Sequence, residues 1–534
     1  MLKFIFNVAC IGLLSITSSL SQSLPFQISI EPLSIPNVGG LQSFAFGQHD
    51  GKWLIVGGRL DGLHRRQPFA SFDIAGNNNR LIVIDPLNQN QWSALIDTLP
   101  VSIKEQLSST NMEFHQEGDF LYLVGGYGYN VTTASRKTFD QFTAIDVPQV
   151  ISAVINNTPI SPSIRQISDP KFAVTGGHLK KINQSYYLIG GNKFDGDYNP
   201  MGHATYTQQY TNAIRKFDLS DDGTNLSVIH YPEINDSINL HRRDYNAVQQ
   251  ILPTGAEAIS IFSGVFQPNI DLPYLNSILV DSLNYYVNNS FQQHYNHYHC
   301  AVLPVFSESS KLMSTVFFGG IAQFYDSLGI MVQDNNVPFV KTIAMINRDS
   351  LGIMTELKMP NEMPGYFGAG SEFIPINTIS HFENDVIKFD SLIADTTLVG
   401  YIYGGINSTA SNIFFTNTGN QSIASSQIYK VNIIKGVQTE INENVRADGF
   451  LMDIYPNPNT GDFKIKFELK EVEVLQLSIY HLDGRLIKTK VLKNLEIGEN
   501  IIDVSLNDNV KSSSYLIKIE SPKYSQQRII VVED

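Results

Sequence analysis

Cysteine is nearly missing from this sequence. The 534 residues hold 2, and one of them, Cys10, lies in the apolar N-terminal stretch. With that stretch removed Cys300 stands alone, so no intrachain disulfide can form. A chain of this length can bury a core large enough to do without one. Tryptophan is equally scarce, at 2 residues. Charged residues make up 16%, and Lys+Arg at 37 fall short of Asp+Glu at 51 for a net charge of -14. That balance offers no basic stripe for nucleic acid. Past the N-terminus no apolar run is long enough to cross a membrane. A nucleophile elbow and a phosphate-cradling glycine loop that opens a helix are also absent.

Hydrophobics at 43% and aromatics at 11%, with Tyr 24 and Phe 31, are present in quantity. With frequent Gly, Asn, Ser and Thr they favour strands and turns over helices. The start, "MLKFIFNVACIGLLSITSSLSQS", places Lys3 before a short apolar run. Ser19-Leu20-Ser21 then supplies small residues at a cleavage site before Gln22. This is the layout of a secretory signal peptide over residues 1–21.

A β-rich apolar run ending in Gly-Gly recurs six times: "WLIVGG", "LYLVGG", "YYLIGG", "ISIFSG", "TVFFGG" and "GYIYGG". The spacings are irregular, roughly 55 to 85 residues, as in a repeated unit with variable insertions. Another strand precedes each run ("SFAFG", "NMEFHQ", "DYNAVQQI"). A third follows, often ending near Asp, as at Asp85, Asp146, Asp218 and Asp281. Four strands per unit is a propeller blade pattern. The array resembles kelch repeats, and the resemblance implies a six-bladed kelch-like β-propeller over residues 24–436. "FQISI" near the N-terminus reads as the outer strand that completes the sixth blade, which would protect otherwise open edges.

Three stretches invite a chemical reading. The first, "QHYNHYHC", packs His294, His297 and His299 beside Cys300. The spacing permits a zinc or copper site, or the Tyr–Cys radical copper chemistry of oxidases on this fold. It equally permits a strand start near the channel mouth, which is the expectation. Aligning "RRDYNAV" with "HYHCAV" then puts His299 level with Tyr245 and with Tyr366 of "PGYFGAG". The second stretch, "FDGDYNPMGH", offers Asp195, Asp197 and Asn199 as the start of a Ca²⁺ loop. Its twelfth position is Tyr206 rather than Glu, and a polar turn is the alternative. The third feature is the set of long segments after each Gly-Gly, which share one face. They carry Arg59, Arg65, Arg66, Tyr127, Tyr129, Phe194, Tyr198, Phe324 and Tyr325. With Arg242, His297 and Tyr366 these form a candidate binding face for glycan or protein. No catalytic residue and no cofactor is assigned.

After a polar linker over 437–452, alternation in "FKIKFEL" and "LQLSIYHLDGRLI" reads as hairpins, with Asp483-Gly484 as a turn. Some seven short strands suggest a small C-terminal β-sandwich over 453–534. Tyr455-Pro456-Asn457-Pro458, Gly461 and "SYLIKI" closely resemble the type A C-terminal sorting domain of the type IX secretion system of Bacteroidetes-like bacteria. Ser514 stands where glycine is usual, and the end "VVED" lacks the usual lysine. The resemblance implies export across the outer membrane, partnership with a shuttle barrel and a sortase, and release or surface attachment. Seven Asp-Ser/Thr tripeptides, at Thr98, Ser237, Ser282, Ser327, Ser350, Ser391 and Thr396, exceed the roughly two that composition gives. They resemble the O-glycosylation acceptors of those bacteria. The expectation is an all-β, exported binding protein acting through its loop-rich face. The alternative is a propeller-scaffold enzyme on carbohydrate: copper oxidase, epimerase or lyase.

Overall fold

The structure is a computed structural model. It describes residues 24–435 except 68, 69, 202–204, 328 and 329, and residues 452–533 except 470, 473, 482–485, 494, 507–512 and 522–524. The signal peptide, all but the last linker residue and the Asp483-Gly484 turn lie outside the described residues. The described residues fall into two compact units, one of residues 27–435 and one that holds residues 452–533.

The larger unit is all-β and propeller-like. Six antiparallel sheets each contain four strands in a meander, and two of them carry a fifth strand. The first sheet runs Ala45–His49, Lys52–Val56, Arg80–Asp85 and Asn90–Leu95 from inside to outside. The inner strands of the next five are Glu113–Glu117, His178–Ile182, Asn246–Ile251, Val302–Ser307 and Ser371–Pro375. In the sixth, the N-terminal strand Gln27–Leu33 pairs antiparallel with Ile428–Ile434, so both ends of the unit share one sheet. Second strands such as Lys52–Val56 and Phe120–Val124 are almost wholly buried. A strand covered on both faces must be apolar throughout rather than alternating.

The Gly-Gly pairs are required by conformation and by space. Gly57 and Gly58 have φ of 65° and 85°, and a Cβ on Gly57 would lie 2.5 Å from the Ser109 carbonyl oxygen. There the chain turns into the next inner strand's approach, which leaves no room for a side chain.

The inner strands begin on a ring of backbone hydrogen bonds. Ser43 N–H donates to Gly370 O, Gly370 to His299, His299 to Asp244, Asp244 to Gly176, Gly176 to Asn111, and Asn111 back to Ser43. The N···O distances are 2.8–3.3 Å, and the circuit closes without a gap. Ser43, Asn111, Gly176, Asp244 and Gly370 all have positive φ, between 52° and 71°. Glycine, Asn and Asp tolerate that region best.

Histidine 299 breaks the pattern. In its sheet the positive φ falls earlier, at Asn296, with φ 57°. His297 N–H bonds Ile321 O as Arg243 N–H bonds Val265 O, yet Phe318 N–H bonds Ala301 O where Asn246 pairs Phe262. One additional residue therefore sits between His297 and Ala301. This corrects the expected register: His299 is level with Asp244, not Tyr245, and Gly370 rather than Tyr366 holds the place in the sixth sheet. "QHYNHYHC" is irregular backbone, and the strand starts only at Val302.

The segments after Gly-Gly are largely two-stranded ribbons rather than open loops. Tyr127–Asn130 pairs Ser135–Thr138, Asn192–Gly196 pairs Tyr206–Tyr210, Phe324–Ser327 pairs Ile330–Gln333, and Ile406–Ser408 pairs Ser422–Ala424. Two helices, Val101–Leu107 and Val147–Asn156, are insertions that composition did not announce. The second is capped by Asp146, whose carboxylate accepts from Gln149 N–H, and it ends at Asn157 with φ 53°. Its Val147, Val150, Ile151 and Val154 pack with Leu54, Val56, Val83 and Leu121 from the first two sheets.

In the smaller unit, three strands (Met452–Tyr455, Asp462–Leu469, Gly498–Ser505) form one sheet. Four (Leu475–His481, Leu486–Leu492, Ser513–Glu520, Ser525–Val532) form another. Their buried residues, among them Phe463, Ile465, Leu477, Ile479 and Ile517, make one core.

Candidate ligand channel

The inner strands enclose a central cavity of about 420 Å³ that starts below the backbone ring. Its wall takes Phe46 and Gln48 from the first sheet, Phe114, His115 and Gln116 from the second, and His178 and Lys180 from the third. Gln249, His299, Cys300 and Glu372 complete the circuit. At the end away from Gly-Gly, the segment that follows Ser371–Pro375 contributes His381, Asn384 and Asp385. This arm leaves the sixth sheet and is tied to its neighbours. Ile387–Lys388 pairs parallel with Val305–Phe306, and Asn384 Nδ2 donates to Gln250 O at 3.1 Å.

Electrostatically the cavity is unusual for its enclosed cation. Lys180 has no hydrogen bond and no carboxylate within ion-pair reach among the described residues, and burial holds its pKa below the usual lysine range. Glu372 and Asp385 act on it only from farther away. Nearby, His299 Nε2 lies 3.1 Å from Glu372 Oε1 as an ion pair that is not aligned as a hydrogen bond. Burial disfavours the His299 imidazolium, but the Glu372 carboxylate outweighs it and raises the pKa. His178 Nε2 donates to Tyr245 O at 2.7 Å, and its ring stands 5.4 Å from that of His299. Desolvation and the charge of Lys180 keep His178 neutral. His115, held at about 3, is neutral for the same reasons. Gln249 Oε1, Glu372 Oε1, His381 Nε2 and Asn384 Oδ1 are buried without a hydrogen-bond partner, and all four residues line this cavity. Unpartnered buried polar atoms are costly; Glu372 Oε1 is answered by the His299 charge, and the other three around one space mark it as suited to a polar guest.

The Gly-Gly face is packed against itself. Tyr127, Phe194, Tyr198 and Tyr206 form an aromatic cluster with His64 and Phe72, with ring centroids 4.5–6.0 Å apart. The Tyr127 hydroxyl donates to Gly196 O at 2.7 Å. Arg59 is 3% exposed, paired with Asp61 and stacked over Phe72. Arg242 is 1% exposed, donates to Asn239 O and Ser263 O, and lies 4.0 Å over the Tyr274 ring. These side chains hold ribbons together and are engaged within the protein, whereas the sequence suggested that they grip a ligand. Phe324 packs on His294, and Tyr366 lies under Lys341. Tyr129 and Tyr325 are half-buried, whereas Arg65 and Arg66 are exposed. On this side of the ring, His64, Tyr198, Arg243 and Tyr298 crowd together around Asp244.

The three clustered histidines do not converge. His297 is fully buried; its Nδ1 accepts from Gln323 N–H at 3.0 Å and its Nε2 donates to Gln293 O at 2.8 Å. Both ring nitrogens are used, so no lone pair is left for a metal. His294 pairs with Glu356 and His299 with Glu372. Burial pushes the Cys300 thiol up to about 12. The three Ca²⁺-loop candidates each have a partner of their own. Asp195 lies in a ribbon strand beside Lys193, Asp197 pairs with Arg136, and Asn199 Oδ1 accepts from Met201 N–H.

Reading the sequence for spacing missed His115, His178, Lys180, Gln249 and Glu372. Each stands on an inner strand, a few residues past its ring position. Asking which residues of "NMEFHQ", "GGHLKKI" and "GAGSEF" face the axis was the available signal.

In the smaller unit, Tyr455 ends the first strand, and cis peptide bonds precede Pro456 and Pro458. Asn457 Oδ1 accepts from Val531 N–H at 2.8 Å, and Asn459 N–H donates to Val531 O at 2.9 Å. Gly461, with φ 99°, donates its N–H to Asn459 Oδ1. The Pro-Asn-Pro turn thus fastens the last strand.

No curated protein matches the chain. Among solved structures, that of YjhT aligns with TM-score 0.41 at 12% identity, covering 76% of this chain and 98% of its own. A glycoside hydrolase family 32 structure from Bifidobacterium adolescentis aligns with TM-score 0.22 at 9% identity, covering 95% and 96%. Residues 453–533 match the family model for the secretion system C-terminal sorting domain, which assigns the protein to export by the type IX machinery, to the extracellular space or the cell surface.

Proposed function

We propose that the protein is an exported six-bladed kelch-like propeller that binds carbohydrate in its central channel. A C-terminal β-sandwich would engage the shuttle barrel and sortase for release or surface attachment. The channel wall carries this reading. The Gln48 amide can give and take hydrogen bonds with hydroxyls, the amide oxygens of Gln249 and Asn384 have no partner and can accept them, and Phe46 and Phe114 offer apolar faces to ring carbons. The ligand side is thus the end bearing the arm, while Arg65 and Arg66 are exposed on the Gly-Gly face.

Calorimetric titration of the full chain with a panel of mono- and oligosaccharides tests this. Binding lost in Gln249→Ala and Phe114→Ala, with melting unchanged, is the expected result. Binding abolished instead by Arg65→Ala/Arg66→Ala would move the site to the other face. A propeller-scaffold enzyme is the second reading, favoured by the His299–Glu372 pair beside His178 and Lys180.

O-glycosylation is part of the proposal. Thr98, Ser237, Ser282, Ser327, Ser350, Ser391 and Thr396 are all exposed. Three motifs share one turn: the carboxylates of Asp236, Asp281 and Asp349 each accept two backbone N–H groups just beyond the serine. The aliphatic residues after those serines, Ile238, Leu283 and Leu351, are 65%, 87% and 81% exposed. An intact mass of the native protein equal to its sequence mass would remove this part.

A further inference from the structure

Lysine 180 is the enclosed charge that the channel leaves unanswered. It lines both the main cavity and the narrower space against the backbone ring, as do His178, His299 and Glu372. A lysine used to anchor structure pairs with a carboxylate, as Lys181 beside it does with Glu117. Lys180 has no such partner, and its amine faces a space lined by groups able to move protons. His178 donates from Nε2 to a carbonyl, which leaves the Nδ1 lone pair as a base. Burial works against a charge on His299, but the Glu372 carboxylate 3.1 Å from its Nε2 outweighs it and favours the proton-bearing form.

We propose that Lys180 is a nucleophilic amine that forms an imine with the carbonyl carbon of a small polyhydroxylated aldehyde or ketone bound in the channel. This rests on the reading of the channel as a carbohydrate site. The deprotonated fraction of Nζ, which burial enlarges, adds its electron pair to the carbonyl carbon, forming C–N. The nitrogen then loses a proton to His178, and the oxygen takes one from His299. His178 passes the proton it took to that oxygen, which leaves as water as the C=N bond forms, and the iminium nitrogen gives its remaining proton to His299. Amine and carbonyl become imine and water with no change of oxidation state, and the two histidines together return to their starting protonation. Burial that disfavours an ammonium is a recognised way to make a lysine nucleophilic.

The test treats the full chain with glyceraldehyde and cyanoborohydride, followed by intact mass and peptide mapping. A single dominant adduct on Lys180 is expected at pH 7, because burial lowers its pKa and the channel holds the carbonyl beside it, whereas surface lysines meet the aldehyde only by collision. Lys180→Arg keeps the charge and should abolish that adduct. The alditol glycerol and larger sugar alcohols, which have no carbonyl, separate the two readings in parallel titrations. Alditol or glycoside binding with no adduct, or with adducts spread over surface lysines, overturns the imine and leaves carbohydrate binding standing. Neither binding nor adduct overturns both. Tighter binding of sugar acids than of neutral sugars, with no adduct, reduces Lys180 to a point charge and also overturns the proposal.

Discussion

Glutamate 113 shows how much a single side chain can tie to pH. It is 1% exposed; Oε1 accepts from Gly177 N–H at 2.8 Å while Oε2 has no partner. Burial pushes its carboxyl up to about 8. The folded chain therefore binds this proton more tightly than the unfolded chain does. Stability from it is full below the unfolded carboxyl range and falls as pH rises toward 8. Glu113→Gln keeps an acceptor for Gly177 and should stabilise the chain by about 1–3 kcal/mol at pH 8, with the gain gone near pH 4. Thermal melts across that range read it directly. His297→Ala should cost about 2–4 kcal/mol in urea unfolding, from a cavity plus two broken hydrogen bonds, and should change no metal content. Cys300, 2% exposed and with its thiol pushed up, should resist thiol reagents until denaturant is added.

At the scale of elements, the strands were readable and the ring was not. Apolar runs such as "WLIV" and "FLYLV" had to be buried strands, and the glycines after them marked where a neighbour's backbone passes. The ring positions Ser43, Asn111, Gly176, Asp244, His299 and Gly370 share no side-chain chemistry, because what they supply is a backbone N–H and C=O. The additional residue before Ala301 shifted the alignment by one for the same reason. The channel groups were hidden because they come from different sheets, and only closure of the ring brings them together. Two element-level outcomes follow. Removing Gln27–Leu33 strips the sixth sheet of its outer strand and bares the edge of Ile428–Ile434; the variant should aggregate or be cut there, as limited proteolysis would show. Asn457→Ala removes the acceptor of Val531 N–H, and hydrogen exchange over residues 525–532 should rise.

For the whole molecule, destination and activity are written in separate parts of the chain. The match over residues 453–533 concerns export alone. A chain lacking 453–534 should accumulate in the periplasm rather than the medium, which fractionation and blotting would reveal.

The backbone ring bears on what kind of ligand can enter. Six peptide groups form a closed circuit, with His64, Tyr198, Arg243 and Tyr298 crowded on its Gly-Gly side, and the space of about 420 Å³ beneath narrows to about 50 Å³ there. A ligand that reached His178 and Lys180 from the arm's end would therefore present a chain terminus or a whole small molecule to the ring, not the middle of a polymer.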